Sequence, residues 1–274
     1  MTSFTDRLRA VQETQNSLLC IGLDTDINRL PAHLPHTSEG VLEFNKELID
    51  TTSDIVCAYK LNLAFYEALG EQGWRVLNET RKRIPSSVIA IADGKRGDIG
   101  NSSDLYARSL INELHFDAST VHPYMGRDSL EPFFRTPEHG VFVLTLTSNP
   151  GAKDFQYLKA GGKPLYEQVI ARVKRWNTQR NLGLVAGATR PAQLKRIRLL
   201  APHLPLLIPG VGAQGGDLKR AVQYGCDKHG FLAVINAGRN VIYASAGEDF
   251  AGAARSAALA IRDQINGYRI SPTQ

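Results

Sequence analysis

The sequence predicts a (β/α)8 barrel on three observations. Eight short apolar, β-prone runs alternate with longer amphipathic stretches. The chain is 274 residues long, close to the roughly 250 typical of this fold. The charged and hydroxyl-bearing residues with a chemical look gather at the C-terminal ends of the apolar runs, where such barrels keep their sites. A doubly wound parallel sheet is the alternative that the same alternation permits. No proline- or serine-rich linker, low-complexity tract or composition shift divides the chain, so we read one domain over 1–274 with a helix at its N-terminus.

Residues 4–15 have helical periodicity, with Ser3 and Thr5 available as N-caps. Residues 18–24 are the first strand-like run, followed by a loop rich in proline and histidine. In 41–53 the apolar positions Val41, Leu42, Phe44, Leu48 and Ile49 repeat at helical spacing. The second run is 55–62, with a helix over 64–83. The third is 88–93, with a helix over 99–114, and the fourth is 118–122, with a short helix over 127–134. The fifth run is 141–146, and 165–179 is helical after a glycine-containing loop. Runs at 182–186, 205–208 and 232–235 complete the eight, and the last helix spans 248–266.

Composition bounds the function. With 43% hydrophobic and 22% charged residues the chain can bury a large core. A net charge of +5 suits an anionic partner, but the basic residues are scattered. That favours a small anion over nucleic acid. Cys20, Cys57 and Cys226 have no C-x-x-C spacing, which argues against a disulfide framework or a thiolate zinc site; they suit a reducing compartment and a place in the core. The sequence opens without a basic then apolar leader pattern, and no apolar run reaches membrane length, so a cytoplasmic location away from membranes is expected. His33, His36 and Glu39 have a metal-like spacing but lie in a proline-broken loop where no helix would align them, so no metal site is expected.

The chemistry concentrates in Asp93-Gly94-Lys95-Arg96-Gly97-Asp98, where strand three hands over to a helix. Side chains two apart on a strand share a face, so Asp93 and Lys95 stand side by side, whereas Asp98, past the turn, faces elsewhere. Other strand ends carry Asp24, Lys60, Asn62, His122, Thr147, Ser148 and Thr189. His122 reads as a packing residue rather than a catalyst. Two glycine-rich turns follow runs seven and eight: Pro209-Gly210-Val211-Gly212-Ala213-Gln214 and Asn236-Ala237-Gly238-Arg239. Glycines there free backbone N–H groups to face a ligand, and Arg239 adds a bidentate donor, which together describe a phosphate cradle. Residues 153–163, with Gly161 and Gly162, read either as a lid or as plain surface.

The set Asp93-x-Lys95-x-x-Asp98, Lys60-Leu61-Asn62, Thr147-Ser148-Asn149-Pro150-Gly151, the Pro209 to Gln214 turn and Gly238-Arg239 resembles the orotidine 5'-phosphate decarboxylases. The Lys95-Arg96-Gly97-Asp98 wording is similar to one bacterial branch of that family. The resemblance runs from Asp24 to Arg239. It implies conversion of orotidine 5'-monophosphate to UMP, the last step of de novo pyrimidine nucleotide synthesis, with neither metal nor cofactor. It implies Lys95 as proton donor to pyrimidine C6, Asp93 beside the leaving carboxylate, and Lys60 and Asp98 as the other members of a charged network. Asp24 and Ser102 would touch the ribose, Ser148 the pyrimidine edge, and Pro209, Gln214, Gly238 and Arg239 the phosphate region. It further implies a homodimer in which Asp98 enters the neighbouring subunit's site. Gly97 and Ser102 depart from relatives outside this branch, which often carry alanine and threonine there. A metal-dependent sugar-phosphate lyase would need an acid where Lys60 stands, and a non-catalytic phosphate-binding barrel would lack the Asp93/Lys95 pair.

Overall fold

In a computed structural model, which describes residues 2–211 and 216–269, eight parallel strands close into a barrel. Around its wall run β1 (Leu19–Gly22), β2 (Ala58–Asn62), β3 (Ile89–Arg96), β4 (Ala118–Val121) and β5 (Gly140–Leu146). A separate antiparallel hairpin, β6 (Lys159–Ala160) and β7 (Lys163–Pro164), interrupts the sequence of wall strands. Then β8 (Leu182–Ala186), β9 (Leu206–Ile208) and β10 (Ala233–Ala237) complete the circle, β10 pairing with β1. The helices are α1 (Phe4–Thr14), α2 (Ser38–Thr52), α3 (Leu63–Glu67), α4 (Glu71–Arg83), α5 (Gly100–Arg108), α6 (Arg127–Phe134), α7 (Ala152–Phe155), α8 (Leu165–Trp176), α9 (Pro191–Leu200), α10 (Leu218–Gly225), α11 (Arg239–Ile242) and α12 (Phe250–Tyr268). Among the described residues no helix is long and apolar enough to cross a membrane.

The wall strands are buried on both faces, which is why they read as continuous apolar runs. Alternate residues belong to two cores. Cys20, Ala58, Ile89, Ile91, Ala118, Phe142, Val185, Leu207 and Val234 pack together, and their strand neighbours Ile21, Tyr59, Ala90, Ala92, Val141, Val143 and Leu184 pack with the helices. Helix α1 joins the first group: the Phe4 ring meets Phe142 edge-on at 5.9 Å, and Gln12 donates to the Ala233 carbonyl at 2.8 Å while accepting from the Leu232 N–H at 2.9 Å. Ser3 caps this helix, accepting from the Asp6 N–H at 3.3 Å.

Several predicted boundaries move, each for a local reason. The helix expected over 64–83 breaks into α3 and α4 at Gly70, whose φ of 64° leaves the right-handed helical region. The one expected over 99–114 is α5 followed by a π turn at Ser109–Glu113. Helix α2 starts at Ser38, three residues earlier than expected, because Thr37 caps it. Helices α9, α10 and α11 lie where the apolar periodicity marks no helical run. Strand β3 continues to Arg96 rather than ending at Asp93, which puts Lys95 on the strand itself.

Candidate active site

The two-residue period that fills the barrel also builds the site. Ala58, Ile89, Ile91, Ala118 and Cys20 are the apolar layer, and the next same-face positions along their strands are Lys60, Asp93 and Thr120. The interior thus changes from apolar to charged toward the C-terminal ends. Lys60 and Asp93 are 3% and 8% exposed, which makes their pairing obligatory. The Lys60 ammonium lies 3.0 Å from Asp93 Oδ2 and 3.1 Å from Asp24 Oδ1. The Lys95 ammonium lies 2.7 Å from Asp93 Oδ1, with its side chain 45% exposed. Lys60 is therefore the interior cation that fixes the carboxylates, and Lys95 is the one presented outward to a ligand.

Burial alone would raise the Asp93 carboxyl, but Lys60, then Lys95, with hydrogen bonds from Lys95 and Thr120, outweigh it and hold the group well below the usual carboxylate range. For Lys60 burial disfavours the charge, and the Asp93 and Asp24 carboxylates more than reverse that. Both groups are charged at neutral pH. The Lys95 backbone adopts φ 47°, left-handed for a residue with a Cβ, where the β3–β4 ladder shifts register between Ala92 and Arg96.

Thr120 is the residue that sequence reasoning missed. Its hydroxyl donates to Asp93 Oδ1 at 2.8 Å and accepts from the Lys95 N–H at 2.9 Å. The signal was its place on the β4 face shared with Ala118, but threonine is common enough in strands to pass as filler. His122 lines an apolar cavity of about 650 Å³ with Tyr124, Leu144, Phe155, Gln156 and Tyr166; Lys60, Asp93 and Lys95 do not line it, so charge chemistry rather than cavity size marks the site. A Cβ at Gly97 would come within 2.4 Å of His122 Nε2, so this departure from the family pattern reflects close packing.

Asp98 and Ser102 are not brought to this cluster. Asp98 accepts its neighbour Ile99's N–H at 2.8 Å and, among the described residues, makes no ion pair. Ser102 is exposed on the first turn of α5. Ser148 stands just past β5, its backbone N 3.2 Å from where a Cβ on Gly187 would lie. The neighbouring Thr147 is tied to the 153–163 region: its N–H donates to Gln156 Oε1 at 2.8 Å, and Gln156 Nε2 donates back to Thr147 Oγ1 at 2.8 Å. That region holds α7 and the β6–β7 hairpin. Pro209 accepts the Ala188 N–H at 3.0 Å, and Gly216 closes the turn on the Gly210 carbonyl at 3.1 Å. Gln214 lies outside the described residues. Gly238 precedes α11, and Arg239 opens it, exposed and without an ion pair among the described residues.

Residues 17–255 match the family described as "Orotidine 5'-phosphate decarboxylase / HUMPS family". The chain belongs to this family. A Dehalococcoides mccartyi protein named orotidine 5'-phosphate decarboxylase is 50% identical over 270 residues, 97% of this chain and 98% of that one; a Herpetosiphon aurantiacus protein of the same name is 48% identical over 94% of this chain and 96% of its own length. Among solved structures, a Leishmania donovani OMP decarboxylase superposes with TM-score 0.85 at 39% identity, covering 98% of this chain and 99% of that one. A Toxoplasma gondii structure titled a putative orotidine-monophosphate-decarboxylase gives TM-score 0.89 at 36% identity, covering 97% of each chain. The matched residues take in all eight wall strands, while α1 precedes them and most of α12 follows them.

The remaining chemical groups are accounted for elsewhere. Burial pushes the Cys57 and Cys226 thiols up to about 12, and Cys20 well above its ordinary value, as suits packed rather than reactive cysteines. The His33 ring lies 5.9 Å from that of Phe250 and Glu39 pairs with Arg75. Among the described residues, no group of three or more His, Cys, Asp or Glu could hold a metal ion.

Proposed function

We propose that this chain decarboxylates orotidine 5'-monophosphate to UMP, with Lys95 as the proton donor and no cofactor in the reaction. The observation that carries the reading is the buried Lys60–Asp93–Lys95 network, at the strand ends of a family barrel, with one ammonium left facing outward. The bond from C6 to the carboxylate breaks, CO2 leaves, and the electron pair stays on C6. The Lys95 ammonium, already charged and held by Asp93, stabilises that carbanion without reorganising, then gives it a proton; the resulting amine is reprotonated from water. Asp93, kept ionised, lies beside the departing carboxylate. Arg239 and the turns at Pro209 and Gly238 bind the phosphate, Gln214 joins them, Asp24 contacts the ribose, and Ser148 reads the pyrimidine edge.

The working unit in this reading is a homodimer with shared sites. Asp98 is left over by the network of its own chain, and the residue after it, Ile99, is 62% exposed, an apolar side chain suited to contact with a second copy. Ser102 sits on the same segment and travels with Asp98 into the partner's site.

The test is the fall in absorbance of orotidine 5'-monophosphate in the presence of EDTA. Activity should survive chelation, and Lys95→Ala should lower kcat by at least about 10²–10⁴-fold, the worth of a positioned proton transfer. Near-normal kcat in that variant, or activity abolished by EDTA and restored by a divalent metal, overturns the reading.

A further inference from the structure

We propose that the Thr120 hydroxyl is a positioning group that locks the Asp93 carboxylate and the Lys95 backbone into one reactive pose. The inference rests on the reading of Lys95 as proton donor.

Thr120 is 1% exposed, so its hydroxyl has no recourse to water. It has one proton to give and gives it to Asp93 Oδ1 at 2.8 Å, while a lone pair takes the Lys95 N–H at 2.9 Å. One side chain thus touches both members of the acid–ammonium pair, at opposite ends. Asp93 Oδ1 also receives the Lys95 ammonium at 2.7 Å, and Oδ2 receives Lys60 at 3.0 Å. Without the threonine, nothing else among the described residues holds Oδ1 except Lys95, the group that must move its proton. The carboxylate would then be free to turn toward Lys60 and carry the ammonium away from the ligand.

The backbone contact matters as much. Lys95 sits at φ 47°, a left-handed conformation that is strained for a residue with a Cβ. It lies where the β3–β4 ladder is interrupted between Ala92 and Arg96, so its N–H is paired by a side chain of β4 in place of that strand's backbone. A strained residue persists only where its surroundings over-determine it, and here the Thr120 oxygen supplies that constraint. Valine would fill the same space and favour the same strand, so the role belongs to the oxygen rather than to the shape.

Three variants separate the roles: Thr120→Val removes the hydroxyl and keeps the volume, Thr120→Ser keeps the hydroxyl and loses a methyl, and Thr120→Cys offers a weaker donor. Loss of a hydrogen bond to a charged group predicts a fall in kcat of about 10- to 100-fold in Thr120→Val, with little change in KM. Thr120→Ser should recover most of the rate, and Thr120→Cys should fall between. In a Lys95→Ala background Thr120→Val should cost nothing further, because the two act as one unit. A readout independent of turnover is hydrogen exchange at the Lys95 amide, which should quicken in Thr120→Val and not in Thr120→Ser. Unchanged kcat and amide protection in Thr120→Val, or equal losses in Val and Ser, overturns the proposal. Should Thr120→Val not fold, the ordering of Ser above Cys carries the same decision. If the parent protein fails to turn over orotidine 5'-monophosphate, the decarboxylase reading falls, while the amide exchange still decides whether Thr120 holds Lys95.

Discussion

Acidification should weaken this protein in two stages, and the first is assignable to one residue. His139 is 3% exposed, its Nε2 3.1 Å from Ser119 Oγ. Burial is the main cause that lowers its imidazole from 6.5 to about 4, with a hydrogen bond to the Phe116 backbone opposing. In the folded chain the ring is neutral through most of that interval, whereas in the unfolded chain it takes up a proton once the pH falls below 6.5. The unfolded state then binds more protons, so the stability is full above pH 6.5 and is lost as the pH drops toward 4. Each unit of difference is worth 1.36 kcal/mol, so the whole effect is about 3 kcal/mol, of which about 2 kcal/mol is already gone at pH 5. Against a total of roughly 5–15 kcal/mol this is a large share. The assay is urea unfolding between pH 7.5 and 5 for the parent and for His139→Gln, which cannot titrate. The stability gap between them should narrow by about 2 kcal/mol over that range. The other histidines and the carboxylates are common to both proteins and cancel. A gap that stays constant with pH would refute the assignment. The second stage lies below about pH 4, where Asp93, depressed in the fold, must be protonated against Lys60 and Lys95.

Arg239→Ala should lower kcat/KM for orotidine 5'-monophosphate by about 100-fold, the worth of a charge-assisted phosphate contact; orotidine without its phosphate should be a poor substrate for the parent, and equal rates with the two substrates would remove the phosphate cradle from the scheme. Lys95→Ala and Asp98→Ala, each nearly inactive, should complement when their subunits exchange: half the dimers are hybrid with one intact site in two, so about a quarter of parental activity returns by symmetry. An exchanged mixture, verified to contain hybrids, that is no more active than its parents places Asp98 in its own chain's site. Arg198, which burial lowers to about 10 and which stays charged at neutral pH, donates to the carbonyls of Ala201, Pro202, Leu204, Gly225 and Leu232. Ala201, Leu204 and Gly225 are buried; with each buried carbonyl left unpaired costing about 1–3 kcal/mol, Arg198→Met should lose at least about 3 kcal/mol in urea unfolding, with the kinetics of the surviving folded enzyme unchanged; a loss under about 1 kcal/mol means those carbonyls find other partners.

Much of the barrel was legible because its wall strands are buried on both faces, so each writes an unbroken apolar run such as 182–186 that needs no knowledge of its neighbours. Helices α9 and α10 were missed although their starts carry signals, Pro191 at the first position of α9 and Asp217 capping α10 through the Arg220 N–H at 3.0 Å. Such caps are short-range and only gain meaning once a helix is required between β8, β9 and β10 to cover the sheet.

The sequence by itself determined that Asp93 and Lys95 share a face, because the period of a strand is local geometry, and that Lys60, Asp24 and the Gly238-Arg239 turn stand at strand ends. Only the tertiary structure decided what the groups do to one another. Lys60 and Asp93 are 33 positions apart in the chain and come within 3.0 Å because β2 pairs with β3 in a register that sets Asn62 opposite Asp93. Thr120 joins them from a third strand. Strand register and barrel closure depend on how all eight strands pack at once, and no window of sequence contains that information.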